Sequence, residues 1–233
     1  MSHFLAIYAA NWSDWWPQLA AGAFYSLLLT AAAFSLALLL GLMLALARRS
    51  AYPILRRLSI AYTELMRGIP PLAVLFLLYF GLPPIGILLS EFAAGFVGLG
   101  LVAAGYVAEI FRAGLQAVHP GQREAALAIG MTPSAAMRHI LFPQAMRVVL
   151  PPLLNMLIVV LKDSSVCALI SAPELMLRTK EIATDTFLPM HLYLLAGIIY
   201  FCMATPMSML VRRLENRFAR GRQTLFRKAE LTP

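Results

Sequence analysis

The sequence predicts an all-α integral membrane protein with five transmembrane helices, and three observations predict it. The first is composition: 61% of the 233 residues are apolar and 13% are charged, whereas soluble domains carry about a quarter charged residues. The second is length. Apolar segments at about 20–47, 59–81, 85–107, 148–170 and 190–211 reach the ~20 residues that cross a hydrocarbon core of about 30 Å. The third is where the basic residues fall. Four (Arg48, Arg49, Arg56, Arg57) lie in 48–57, four (Arg112, Arg123, Arg138, Arg147) in 108–147 and seven in 212–233, against none in 1–19, none in 82–84 and two (Arg178, Lys180) in 171–189. The positive-inside rule then puts the amino terminus outside and the carboxyl terminus in the cytoplasm.

The segments divide the chain into an extracytoplasmic or interfacial stretch 1–19, a transmembrane domain 20–211 and a basic cytoplasmic tail 212–233. Trp12, Trp15 and Trp16 precede the first segment at a spacing that suits an interfacial aromatic anchor, although loose packing of the rings on the protein also fits. No Lys or Arg occurs before Arg48, so the positive n-region of a cleavable secretory signal is missing. Pro70, Pro71, Pro83 and Pro84 interrupt the second and third segments, and Gly81-Leu82-Pro83-Pro84 reads as the turn between them. The net charge of +8 reflects topology, and the basic tail can also touch anionic lipid headgroups. Binding to nucleic acid is disfavoured, because the basic residues flank spans and are not interleaved with exposed aromatics. Cys167 and Cys202 lie in apolar runs, where a thiol behaves as a small buried hydrophobe. They define neither a metal site nor a disulfide framework.

Between the third and fourth segments stands a polar stretch, "HPGQREAALAIGMTPSAAMRHILFP", residues 119–143. Pro120 suits the first turn of a helix, and Gln122, Ala125, Ala126 and Ile129 share one helical face. Gly130 suits a left-handed carboxyl-terminal cap. Thr132 and Pro133 then begin a second helix with Met137, Ile140 and Leu141 as its apolar face, and Pro143 is expected to end it. The unit is a cytoplasmic helix-turn-helix. Spacing alone fits equally an amphipathic hairpin lying on the membrane surface.

A resemblance separates the two. Glu124-Ala125-Ala126, then Gly130, Ile140 and Pro143 are similar in type and spacing to the EAA loop of ABC importer permeases, with Phe142 where that pattern has Leu. "MRGIPPL" (66–72), "AGYVAEIFRAGLQAVHPGQREAALAIGM" (104–131), "PEL" (173–175) and "ILFPQAMRVVLPPLLNMLIVVLKDSS" (140–165) resemble the polar amino-acid uptake family of those permeases, over roughly residues 20–215. The resemblance implies a non-catalytic, multi-pass subunit of a bacterial inner-membrane importer. Its substrate class would be a polar amino acid or an amino-acid-like compound such as an opine. It also implies three kinds of partner: ABC ATPase subunits, a second permease copy or paralogue, and an extracytoplasmic substrate-binding protein. In that family the EAA helix fits a groove on the ATPase, which assigns coupling to Glu124, Ala125, Ala126, Gly130, Ile140 and Pro143. Glu124 either pairs with a basic residue of the partner or stabilises its own helix's amino-terminal end.

The chain carries no power source of its own. A phosphate-cradling loop needs G-x-x-x-x-G-K-[ST], and Lys162, Lys180 and Lys228 follow Leu, Thr and Arg. No cofactor is expected in this chain, and ATP and Mg are expected to be used by a partner ATPase.

Ionisable groups at membrane depth are costly and are usually functional or paired. Asp163, roughly 22 Å into the fourth segment at 1.5 Å per residue, shares a helical face with Asn155 and Val159. It is a candidate receiver of a substrate ammonium group; a buried structural ion pair is the other reading. Ser164 extends that candidate pathway. Arg67, Gly68, Ile69 and Pro70 form a second one, because proline breaks in spans are tolerated where they line a cavity. There Arg67 or the freed backbone N–H groups would hold a carboxylate, unless Glu64, three residues earlier, neutralises Arg67 as an intrahelical pair. Glu109 and Arg112 repeat that spacing as a structural pair. His119 and His139 lack a third ligand for a metal.

Two other classes compete. An ion-coupled secondary transporter could use Asp163, but it gives no reason for the polar projection, and an odd span number without an inverted repeat counts against it. An intramembrane enzyme would need paired carboxylates, H-E-x-x-H or a Ser-His dyad at depth, and the sequence offers none. An ABC permease for metals or osmolytes remains the alternative within the class.

Overall fold

Helix α1, Ser2–Ala47, begins well before the first apolar segment and continues through Pro17 without a break. The computed structural model describes residues 2–229; Met1, residues 230–233 of the basic tail, and the side chains of Ser2, His3, Leu5 and residues from 217 onward lie outside what is described. Every regular element among the described residues is helical: α1, α2 (Pro53–Gly68), α3 (Pro71–Tyr79), α4 (Glu91–Gln116), α5 (Pro120–Ala128), α6 (Pro133–Ala136), α7 (Phe142–Asp163), α8 (Leu175–Thr186) and α9 (Pro189–Ala229). Four helical stretches among them are long and apolar enough to cross a membrane: 6–47, 91–116, 133–170 and 189–216. A fifth arises if α2 and α3 with the turn after it form one broken span, bent by 102°.

That bend has a local cause. Pro70 and Pro71 have no N–H to continue the ladder, and Pro70 pushes Ile69 into extended backbone (φ −98°, ψ 134°), as residues before proline prefer. Pro83 and Pro84 form a 3₁₀ turn closed by Gly86 at φ 84°, in agreement with the turn read from the sequence. The helix that follows starts later than the apolar run suggests, at Glu91 in place of 85, because Ser90 caps it by accepting from Ala93 N–H.

α4 is the centre of the molecule and packs against α1, α2, α3 and α7. Its buried face is built from small residues, among them Gly98, Gly100, Ala103, Ala104, Gly105 and Ala108. Small side chains let membrane helices approach closely where no hydrophobic drive joins them. The closeness is literal: a Cβ on Gly41 of α1 would stand 2.5 Å from Val107 Cγ1.

A second cluster ties α1 to α8 and α9 through Trp15, Leu19, Leu175 and Leu192. Trp15 is therefore a packing residue, while Trp12 and Trp16 stack on each other at 5.1 Å and remain exposed. Inside this region Glu174, fully buried, caps α8 by accepting from Leu177 N–H at 2.9 Å. Its other carboxyl oxygen accepts from Ser26 of α1 at 3.2 Å and from Tyr200 of α9 at 2.6 Å. One side chain thus fastens three helices.

Candidate functional site

The polar projection is built as its sequence requires up to Ala136. His119 caps α5 by accepting from Gly121 N–H at 3.1 Å, a role that a search for metal ligands overlooks. Gly130 adopts φ 84°. Around it Met131 N–H donates to Ala126 O and Gly130 N–H to Leu127 O, the paired bonds of a Schellman cap. Thr132 caps α6 by accepting from Ala135 N–H at 3.2 Å. Ala126 is the buried member of α5, whereas Glu124, Ala125 and Ile129 are exposed, Ile129 to 79%.

Pro143 corrects the reading of the second helix. It does not end that helix: residues 137–141, including Ile140, form a π turn, and α7 proceeds from Phe142. A proline in the first turn of a helix costs little, since its missing N–H would be unbonded there. The widened π ladder delivers the chain into that turn without a break. Residues 133–170 form one continuous span-length helical stretch.

Between α2, α4 and α7 lies a cleft of about 470 Å³ whose walls include Arg67, Tyr106, Glu109, Arg112, Asn155 and Val159. Two predicted pathway residues, Arg67 and Asn155, therefore line the same cleft although they lie far apart in the sequence. Arg67 is half-exposed, lies 3.7 Å from Glu64 and sits over the Tyr106 ring at 5.8 Å. Tyr106, which sequence reasoning does not single out, also donates from its hydroxyl to Arg67 O at 3.4 Å. Its only signal in the sequence is that of one more aromatic in a span.

The backbone at the break differs from expectation. Ile69 N–H is already donated to Leu65 O at 3.1 Å, and Pro70 and Pro71 have none to give. The break exposes carbonyls of the α2 terminus, so Ile69 supplies no N–H for a carboxylate.

Asp163 and Ser164 do not join Arg67 and Asn155 in the cleft. Asp163 lies eight residues beyond Asn155, about 12 Å along the axis, at the end of α7, half-buried. Ser164 is fully buried and donates to Leu161 O at 2.8 Å, so its hydroxyl is turned inward. Lys162 is exposed. Glu109, expected to pair with Arg112, does so at 2.7 Å, and it also pairs with Arg48 in the turn that follows α1. One carboxylate thus receives two guanidinium groups, one from its own helix and one from the loop after α1.

Apolar spans around a largely apolar cleft that holds a few charged and polar side chains, a broken span at its wall and a largely exposed two-helix projection define a membrane-embedded transport component. The family described as "Binding-protein-dependent transport system inner membrane component" matches residues 37–220, and the chain belongs to it. It is 38% identical over 203 residues, 87% of the chain and 90% of the relative, to a probable amino-acid ABC transporter permease, YckA, of Bacillus subtilis (strain 168). A probable glutamine ABC transporter permease of the same organism, GlnM, is 36% identical over 86% of the chain and 93% of its own length. Among solved structures, the crystal structure of an amino acid ABC transporter with histidines aligns at TM-score 0.84 and 36% identity, covering 92% of this chain and 98% of that one. The fold is accordingly that of ABC permeases, and the chain is a non-catalytic, multi-pass inner-membrane subunit of an ABC transporter complex. Permeases of this kind carry no cofactor, and ATP is hydrolysed by the partner ATPase subunits.

Proposed function

We propose that the chain forms one half of the translocation pathway of an ATP-driven importer for a polar amino acid or an amino-acid-like compound such as an opine. The second half is another copy or a paralogue, and an extracytoplasmic binding protein delivers the substrate. The chain crosses the membrane five times, with the α2–α3 pair as the second span. Its amino terminus is outside, and the loop after α1, the 119–143 projection and the tail face the cytoplasm, as the distribution of basic residues requires.

The observation that carries this reading is continuity. The helical stretch beginning at α6 in the projection runs without interruption into α7, whose Asn155 and Val159 wall the cleft. A displacement of the projection by an ATPase moves the cleft wall with it. Glu124, Ala125, Ala126 and Gly130 of the first short helix and its cap, with Ile140 and Pro143 at the junction, form the surface that receives the displacement. In the cleft, Arg67 is the group for a substrate carboxylate, with Gly68, Ile69 and Pro70 shaping the bend beside it, and Asn155 supplies a polar contact opposite. Asp163, and Ser164 through its position on the same turn, act towards the outer end of the pathway. The amino-acid relatives, one of them described for glutamine, support the substrate class.

The test is reconstitution of the chain with its ATPase, binding protein and any paralogue in liposomes, measuring substrate-stimulated ATP hydrolysis across a panel of polar amino acids and opines. Glu124→Lys should abolish stimulation while the spans stay folded, and Arg67→Gln should raise the substrate concentration needed. Failure of a folded chain to associate with the ATPase would overturn the reading in favour of an ion-coupled transporter.

A further inference from the structure

A second cavity, also of about 470 Å³, opens where the end of α1, the end of α4 and the start of α5 converge, lined by Arg49, Arg112, Leu115, Gln116, Val118 and Pro120. We propose that it binds the phosphate of an anionic phospholipid from the cytoplasmic leaflet. This rests on the topology proposed above, which puts the loop after α1 inside the cell.

Charge is the first argument. Arg49 is exposed and has no acidic partner within salt-bridge distance among the described residues. Arg112 shares the Glu109 carboxylate with Arg48, so two guanidinium groups meet one carboxylate and a positive charge is left over beside Arg49. Arg112 commits its Nε and Nη2 to Glu109 and its Nη1 to Gln116 at 2.6 Å. It therefore contributes field, while the free planar fork of Arg49 contributes the hydrogen bonds that phosphate oxygens accept.

Depth and lining are the second. Ala47 and Gln116 are the last residues of two span-length helices, so the cavity sits at headgroup level. Basic pockets between membrane helices on the cytoplasmic side are where phosphate headgroups bind. Leu115, Val118 and Pro120 supply apolar walls that a glycerol backbone and the first acyl carbons can cover, and that a free inorganic anion would leave wet. Because Pro120 opens α5, a lipid seated here touches α1, α4 and the projection together.

The complete transporter, purified from nanodiscs of phosphatidylcholine with and without phosphatidylglycerol, would be examined by native mass spectrometry for retained lipid. Wild type should retain phosphatidylglycerol over phosphatidylcholine. Arg49→Gln should retain roughly tenfold less, the scale of one charge-assisted hydrogen bond, and Arg49→Lys should fall between. Val118→Asp, which places a like charge in the cavity, should repel the lipid while leaving Arg49 in place. Equal retention by wild type, Arg49→Gln and Val118→Asp would overturn the proposal. So would displacement of the lipid by millimolar inorganic phosphate, which would make this a free-anion site. So would loss of the ATPase subunit from Arg49→Gln with lipid retention unchanged, which would make the cavity a partner contact. Reaction of Ser50→Cys with a membrane-impermeant maleimide only from the outer face would show that the topology, not the cavity chemistry, had failed.

Discussion

Replacing Glu174 with Ala should destabilise the protein by about 3–5 kcal/mol. The substitution removes the cap of α8, about 1 kcal/mol, and leaves the buried Ser26 hydroxyl and the partly buried Tyr200 hydroxyl without their Glu174 acceptor, about 1–3 kcal/mol each. A partial offset comes from removing a carboxylate that has no cation within salt-bridge distance among the described residues. Glu174→Gln keeps the shape and one carbonyl acceptor, and should cost about 1–2 kcal/mol, the scale of a hydrogen bond exchanged for a poorer one. Acidity gives a second readout. Burial pushes the Glu174 carboxyl above its usual 4.5, while hydrogen bonds from Met176 N–H, the Tyr200 hydroxyl, Leu177 N–H and the Ser26 hydroxyl pull the other way without cancelling it. With the folded-state value raised, the folded chain binds the proton more tightly than the unfolded one. This contribution to stability is thus fully present below about 4.5, declines as pH rises through the folded-state value and is flat above it. The assay is thermal unfolding of the detergent-solubilised chain followed by tryptophan fluorescence across that pH range. A Glu174→Ala protein within about 0.5 kcal/mol of wild type, the scatter of neutral surface changes, would refute the clamp. So would a pH slope that persists undiminished in Glu174→Gln.

Three further outcomes follow from the packing and the turn chemistry. Gly130→Ala should cost about 1–2 kcal/mol through the left-handed backbone alone, since nothing lies within 4 Å of the added methyl; hydrogen exchange should rise in α5 and α6 and not in the spans. A Cβ at Gly114 would overlap Val149 Cγ2, so Gly114→Ala should lower stability by about 1–3 kcal/mol, the range for overpacking, and Val149→Ala should recover much of it in the double mutant. Glu109→Gln leaves Arg48 and Arg112 without their shared partner, and should lower stability by about 1–3 kcal/mol, discounted from the buried-pair range because Arg112 is partly exposed. Chemical denaturation of the three variants checks these values.

Four spans are legible in the sequence because each is a long apolar run, and the projection because caps and glycine act within a few residues of one another. Gly130 and Thr132 illustrate what local chemistry can announce. Ser90 illustrates what hydropathy alone misses, since its cap starts α4 at Glu91 although the apolar run begins near 85. Tyr106, the Arg48–Glu109 pair and the Glu174 cluster are not legible, since each depends on which helix faces which. Asp163 shows the same limit from the other side: helical phase puts it on the Asn155 face, but eight residues carry it around and along the axis, away from Arg67. Pro143 misleads because proline stops helices in their interiors yet fits their first turn, and a π ladder before it changes which of those it is.

The π turn at 137–141 has a consequence for register. In helical terms it is a single extra residue absorbed in one widened turn. Such a turn takes about one residue more than an α turn to cover nearly the same rotation, so the extra residue leaves the angular phase of α7 almost unchanged. Rewinding the same residues as ordinary α-helix would instead turn α7 by about 100°, the rotation of one residue. Asn155 would then leave the cleft, and Val149 would no longer face Gly114. The five-residue turn therefore holds the phase between the projection and the cleft, and a chain shortened there by one residue would wind normally and keep that alignment.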